Sequence, residues 1–251
     1  MNQDAIDEAA RLLVGARESG VLLDALPAAC RPQNLAEAHA IQDATVAALG
    51  DAVAGWKVGA PIDGRIVRGA ILRSRIIPSG GSIAAASVPL LGVEAEIAFR
   101  FDQALEPRAR PYDYAEVAAA VTAFPAIEIV DSRFRDYRNA PLLERIADCV
   151  SNGAFVVGDA KSGWREFDLA KLDVRLEIDG EVLVRRIGGH PAGDPLLPAI
   201  ELVNDLRQNR GVDKGQLMTT GTYTGLNFVS PGTRARAVFE LFGIAEVHLG
   251  A

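Results

Sequence analysis

Three glutamates stand where carboxylates are costly to place. Glu94 and Glu96 are two residues apart in GVEAEIAFRF (92–101), and Glu128 lies between Ile127 and Ile129 in FPAIEIVDSRF (124–134). A strand turns alternate side chains to opposite faces. Val93, Ala95, Ile97, Phe99 and Phe101 therefore form one apolar face, while Glu94, Glu96, Ala98 and Arg100 share the other. The strand rise puts the two carboxylates about 7 Å apart, and like charges that close raise each other's pKa unless a cation sits between them. A lone carboxylate in an apolar run, as at Glu128, is expensive to bury unless it is paired or metal-bound. Three such groups make an oxygen-only site of the kind that suits Mg²⁺ or Mn²⁺ and leaves positions for water or substrate. An ordinary strand with Glu94 and Glu96 in water is the competing reading of the decapeptide. His39, His190 and His248 are scattered and Cys30 and Cys149 are far apart, so no zinc cluster competes.

Lys57 is the cation of interest. It sits between Trp56 and Val58 in GWKVG (55–59), so its stem is expected to be covered. Either it snorkels to the surface, or its ammonium is aimed at an anionic substrate or a developing enolate. Arg65, Arg68, Arg73 and Arg75 give the following stretch local positive charge and read as solvated loop arginines.

The elements that must position these residues follow from pattern. Apolar residues at helical spacing over 6–17, with Asp4 and Asp7 near the start, predict a helix. Asn34 with Glu37 three residues on predicts a capping pair opening a second helix that Gly50 stops. Residues 1–50 thus read as a helical N-terminal lead-in, and 51–251 as the main domain. Residues 60–91 read as irregular, with a small strand at 70–72. A helix near Asp113 leads into the Glu128 strand, and a further helix spans LLERIADCV (142–150). Residues 154–158 form a strand, 172–185 a hairpin about Asp179–Gly180, and Asp194 caps a helix running to about Gln208. Strands at 217–220, 234–240 and 245–249 complete the chain. Strands outnumber helices after residue 50 without regular alternation, which favours an α+β fold over a doubly wound sheet.

At 251 residues with 49% hydrophobic and 24% charged residues, the chain can bury a sizeable core. A net charge of −7 argues against a nucleic-acid or anionic-membrane surface. Two cysteines indicate no disulfide framework and a reducing, cytoplasmic setting. No signal peptide or membrane-spanning run is read, and no GxGxxG or GxxxxGK[ST] loop follows a strand.

Taken in order, NLAEAHAIQ (34–42), GWKVG (55–59), GVEAEIAF (92–99), PAIEIVDSRF (125–134), DCVSNGAFVVG (148–158), GDPLLPAIELVNDL (193–206) and LMTTGTYTG (217–225) resemble the 2-keto-4-pentenoate hydratase and 4-oxalocrotonate decarboxylase branch of the fumarylacetoacetate hydrolase superfamily. The resemblance implies a mixed, β-rich rolled sheet with a Mg²⁺ or Mn²⁺ held by Glu94, Glu96 and Glu128. It implies that a 2-keto acid chelates the metal, that Lys57 is catalytic near the same oxygens, and that Gly221 and Thr222 of GTYTG bind the substrate carboxylate. A glycine-flanked turn lets backbone amides approach an anion, although GTYTG alone also reads as a tight turn. The implied activity is a metal-dependent lyase, a hydratase acting on a 2-hydroxypenta-2,4-dienoate-like compound in aromatic catabolism, in a homo-oligomer. A 4-oxalocrotonate-type decarboxylase and a non-catalytic partner subunit are the alternatives. The chain departs from the hydratase pattern at Pro61 and at Val67–Arg68 before Gly69, where a hydroxyl and an acidic residue are common. Asp63 is a substitute for that acid, and Arg68 a group for a second substrate carboxylate.

Overall fold

A computed structural model of residues 1–251 shows two helices followed by two curved sheets that share one core. In chain order the elements are α1 (Gln3–Ser19), α2 (Leu35–Leu49), β1 (Val53–Ile62), β2 (Arg65–Leu72), β3 (Ile76–Pro78), β4 (Gly81–Ala84) and β5 (Gly92–Phe101). They continue with α3 (Tyr114–Ala120), β6 (Val121–Val130), α4 (Leu142–Ala147), β7 (Asn152–Val157), β8 (Asp173–Ile178) and β9 (Glu181–Ile187). The last are α5 (Leu196–Leu206), β10 (Leu217–Thr222), β11 (Asn227–Phe228), β12 (Arg234–Phe239) and β13 (Gly243–Gly250). No helix is long and apolar enough to cross a membrane. The α+β class with a rolled, β-rich sheet is the one expected.

Local chemistry sets the helix ends. The Asn2 side chain accepts from the Ala5 amide at the start of α1, and the Asn34 side chain accepts from the Glu37 amide at the start of α2. Glu37 bonds the Gln33 amide rather than that of Asn34, so only half of the expected capping box forms. Gly50 ends α2 in the left-handed region. A complete box appears instead at Asp113 and Glu116, on α3.

The stretch 60–91, expected to be irregular, is ordered: β1 and β2 form a hairpin turned by Asp63 and Gly64, with φ of 49° and 71°. Two successive positive φ values are what a two-residue hairpin turn requires. Pro61 and the neighbouring glycines break the alternation that would have marked the strands.

The larger sheet runs β2-β1-β10-β5-β6-β7-β3 with β11 added to β5, and the smaller runs β4-β13-β12-β8-β9. β5 and β6 pair over their full length, Gly92 with Val130 through Phe101 with Val121. The odd-numbered face of β5, Val93 to Phe101, is fully buried with Ala235, Ala237, Phe239, Ala245 and Val247 of the smaller sheet. Burial of that much apolar area is the main driving term of the fold. The opposite face is also closed, because Ala98, Phe124, Ala126 and Phe155 pack there with Ile71 and Leu217. The larger sheet therefore curls around its own even-numbered face. A Cβ on Gly69 of β2 would lie 2.5 Å from the Cys149 carbonyl oxygen just before β7, so the two ends of the curl touch.

The N-terminal helices cover one end of this roll. Buried Gln42 of α2 donates to the carbonyls of Arg68 and Ile146 and accepts from the Ala70 amide, tying α2 to both β2 and α4. Three hydrogen bonds satisfy an amide that would otherwise be costly to bury.

Candidate metal centre

Glu94 faces Glu128 directly across the β5–β6 ladder, and Glu96 follows two residues on, on the same face. One carboxylate oxygen from each of the three lies within 4.8 Å of the others. Glu96 and Glu128 are buried, at 2% and 0% exposure, and Glu94 is partly open. The solvent-facing strand is thus excluded: only Arg100 at the far end of that face is exposed. The three glutamates singled out in the sequence converge in the interior of the roll.

Lys57 reaches them from across the lumen. In the sheet β1 is separated from β6 by β10 and β5, yet Lys57 Nζ donates to Glu128 Oε1 at 2.6 Å and to the Val150 carbonyl at 3.1 Å. The ammonium does not snorkel out, since the side chain is 12% exposed. Burial works to lower the Lys57 pKa, but Glu128, Glu94 and Glu96 outweigh it and hold it up at about 12. Burial and the nearby Glu128 push the Glu94 carboxyl up to about 7, with Lys57 pulling the other way. Burial, then Glu128 and Glu94, raise Glu96 well above the ordinary carboxylate range against the pull of Lys57 and Thr219. One ammonium does not neutralise three buried carboxylates.

Three further groups shape the site. Thr219 Oγ1 donates to Glu96 Oε2, and Asn152 Nδ2 donates to Glu128 Oε1 at 3.0 Å. The Val150 carbonyl that receives Lys57 belongs to a run of three non-glycine residues in the left-handed region, Cys149, Val150 and Ser151, with φ of 53°, 52° and 59°. Such residues are rare outside glycine and cluster where the fold forces them. Glycine at 69 is what lets this turn come close. Sequence reading missed all three groups. A polar residue within or at the start of an apolar strand, Thr219 in LMTTG and Asn152 in SNGAF, was the available signal for two of them.

Gly221 has φ of 124°, which favours glycine, and Thr222 pairs in register with Glu96 at the end of β10. The Thr222 hydroxyl accepts from the Thr224 amide at 3.1 Å. GTYTG thus borders the carboxylates, and its turn is also held by its own bonds. Two groups weighed from sequence are elsewhere. Arg68 is on the opposite face of β2, forms a two-point ion pair with Asp43 of α2 at 2.8 and 2.9 Å and stacks over Trp56. Asp63 is exposed at the tip of the β1–β2 turn, six residues along β1 from Lys57. A surface cavity of about 730 Å³ lies away from the carboxylates, lined by His39, Arg65, Ile200 and Arg207.

The donor set fits a hard divalent cation. All three groups are carboxylates, they are mutually repelling, and Glu128 Oε2 is buried with no hydrogen-bond partner. An orphaned, desolvated acceptor of that kind is what a cation would satisfy.

No protein-family model matches the chain. Among characterised proteins, it is 30% identical over 233 residues to a 2-keto-4-pentenoate hydratase of Paraburkholderia phymatum, covering 88% of each chain. It is 34% identical over 155 residues to one from Burkholderia vietnamiensis, where the match spans 61% of this chain and 58% of the relative. It is 27% identical over 181 residues to a 4-oxalocrotonate decarboxylase of a Pseudomonas species, covering 71% and 68%. The solved structure of 4-oxalocrotonate decarboxylase from Pseudomonas putida G7, complexed with magnesium and adipate, shares the fold over 99% of this chain and 98% of its own, with a TM-score of 0.86 at 22% identity. The ordered motifs and this level of identity over most of both chains establish that the chain belongs to the family of 2-keto-4-pentenoate hydratases and the related 4-oxalocrotonate decarboxylases.

Proposed function

We propose that this chain is a divalent-metal-dependent lyase that adds water across the 4,5 double bond of a 2-hydroxypenta-2,4-dienoate-like substrate, giving a 4-hydroxy-2-oxo acid. The observation that carries this reading is the meeting of Glu94, Glu96 and Glu128 with Lys57 inside the roll, with Glu128 Oε2 left unsatisfied. The hydratase relatives, of which one is matched over 88% of its length, support the reaction class.

Glu94, Glu96 and Glu128 would hold Mg²⁺ or Mn²⁺, and Asn152 and Thr219 fix two of those carboxylates in orientation. When bound, such a cation supplies Lewis-acid stabilisation of negative charge developing on the substrate's 2-oxygen. Lys57 keeps a positive donor at Nζ beside the same carboxylates, anchored by the Val150 carbonyl, and is placed to hydrogen-bond oxyanionic groups of the substrate. Gly221 and Thr222, at the rim beside Glu96, would take the substrate carboxylate. The small exposure of Lys57 and Glu128 keeps bulk water away, which strengthens these electrostatic contacts.

Decarboxylation of an oxalocrotonate-type diacid is the second reading, supported by the 4-oxalocrotonate decarboxylase relative at 27% identity over 71% of this chain. The Mg²⁺-loaded protein incubated with 2-hydroxypenta-2,4-dienoate and with 4-oxalocrotonate, assayed for 4-hydroxy-2-oxo acid and for CO₂, separates the two. Turnover of neither substrate at full metal occupancy would support a non-catalytic partner subunit instead. The reading includes a cytoplasmic protein that assembles as a homo-oligomer. Light scattering on the eluted protein checks the assembly, and a monomer would remove that part.

A further inference from the structure

Away from the carboxylate centre, three arginines gather around a surface pocket of about 370 Å³ between the end of α1, the β4–β5 connection and the segment after β6. Arg17, Arg75 and Arg133 line it together with Asp131 and Glu18, and the nearby carboxylates are engaged unevenly among the three. The Asp148 carboxylate accepts from Arg17 at 3.1 Å and from Arg133 at 2.5 Å, while Asp131 accepts from Arg133 at 3.1 Å. Nothing within ion-pair distance remains for Arg75, which forms no side-chain hydrogen bond although it is half-buried. Arg17 is 6% exposed, and its Nε is buried without a partner. Burial and the proximity of Arg17 and Arg133 both work against the charge on Arg75, with Asp131 and Asp51 only partly offsetting them. Glu18 is the remaining carboxylate of the pocket, exposed on its rim. The Ser132 hydroxyl accepts from the Phe134 amide and keeps its own proton to donate.

A guanidinium left without an ion-pair partner at a pocket wall is a cation that an anionic ligand can neutralise. Guanidinium groups present paired N–H donors matched to carboxylate and phosphate oxygens. The volume is at the small end of the range of about 300–1,000 Å³ typical of small-molecule sites, and exceeds what a monatomic anion needs. We propose that the pocket formed by Arg17, Arg75, Arg133 and Ser132 binds a small oxyanion, carried as a phosphate or a dicarboxylate, with Arg75 as its principal cation. None of these residues belongs to the carboxylate centre, so the site is a second one and stands independently of the lyase reading. It is wired to that centre, because Arg133 donates to the Asn152 carbonyl at 3.2 Å while the Asn152 side chain holds Glu128.

Calorimetric titration of the Mg²⁺-loaded full-length protein tests this with inorganic phosphate, glycerol 3-phosphate and succinate in separate arms, ionic strength being held constant with chloride. Saturable binding of at least one is expected, and the arms tell inorganic phosphate, a phosphate ester and a dicarboxylate apart. Arg75→Ala should weaken binding at least tenfold. Arg75 makes no bond on which the fold depends, so that variant's melting temperature should match the parent's. Arg73→Ala, which removes an exposed neighbouring charge, should leave affinity unchanged. Glu96→Gln should also leave it unchanged, which separates this site from the metal centre. No saturable binding in any arm, or equal affinity in the Arg75→Ala variant and the parent, overturns the proposal.

Discussion

Stripping divalent cations from the protein and returning them should move its melting temperature by several degrees, and the carboxylate geometry sets the scale. At an effective dielectric constant of about 20, two unit charges no more than 4.8 Å apart repel by roughly 3.5 kcal/mol or more. Fully ionised, Glu94, Glu96 and Glu128 would form three such pairs, with Lys57 at 2.6 Å from Glu128 offsetting part of the repulsion. Without a cation the site meets this cost by holding Glu94 and Glu96 protonated more readily than free carboxylates. The metal-free site is therefore destabilised, and binding to the folded chain alone stabilises it by about 2.7 kcal/mol at a hundred times the dissociation constant. For a domain of this size 1 kcal/mol corresponds to about 2–4 °C, so the expected rise is about 5–11 °C. The assay is a thermal melt of chelator-treated protein titrated with Mg²⁺ and Mn²⁺. Glu96→Gln is the informative variant, because an amide removes one ligand and one repelling charge while keeping shape. Its metal-free melting temperature should equal or exceed the parent's, and its response to either cation should be largely lost. A parent protein that melts identically in chelator, Mg²⁺ and Mn²⁺ would refute the reasoning, as would a Glu96→Gln variant that responds like the parent.

Lys57→Met should leave Glu128 buried beside two carboxylates with no ammonium, costing about 3–5 kcal/mol in chelator; Mg²⁺ should restore part of it, and denaturant titration with and without the cation reads both. Gly69→Ala drives a Cβ to 2.5 Å from the Cys149 carbonyl oxygen and 2.8 Å from the Lys57 side chain, so about 1–3 kcal/mol of stability and most turnover should be lost together; an unaffected kcat would remove the Cys149–Ser151 turn from the site. His190 is held neutral: burial pushes its pKa down to about 4 from 6.5, its Nδ1 accepts from the Ala192 amide, and its Nε2 faces the Thr220 carbonyl. The folded pKa lies below the unfolded one, so this contribution is whole above pH 6.5 and fades as the pH falls towards 4, by up to about 3 kcal/mol. Melting temperatures across that window should fall less steeply for His190→Gln, and parallel curves would count against the assignment.

Much of the site was legible because local pattern and burial cost agree. Glu128 between two isoleucines announces a carboxylate that needs a partner, and the alternation of 92–101 puts Glu94 and Glu96 on one face. The cap at Asn34 and the Asp179–Gly180 hairpin were equally local. The Asp63–Gly64 turn carried the same signal as Asp179–Gly180, but Pro61, Gly59 and Gly69 interrupt the flanking strands and hid it. Those interruptions serve the roll: a side chain at Gly59 would meet Val67, and one at Gly69 would meet the turn before β7. Of the four arginines read as solvated, Arg65 and Arg73 are exposed, and the other two were the reverse case. Arg68 is buried on Asp43, and Arg75 is drawn in beside Arg17 and Arg133, because helices distant in sequence close over that part of the sheet.

Sequence by itself determined which side chains face which way along each strand, since the two-residue period is a property of the chain alone. It thereby put Glu94 and Glu96 on one face and Glu128 within an apolar run, and left open whether those carboxylates and Lys57 turn inward. Only the tertiary structure decided that they meet. β1 and β6 are not neighbours in the sheet, and it is the curl of the sheet about its even-numbered face, driven by apolar burial on both sides, that brings Lys57 across to Glu128. A contact made across a lumen leaves no spacing in the sequence, because its distance depends on sheet curvature and not on residue separation.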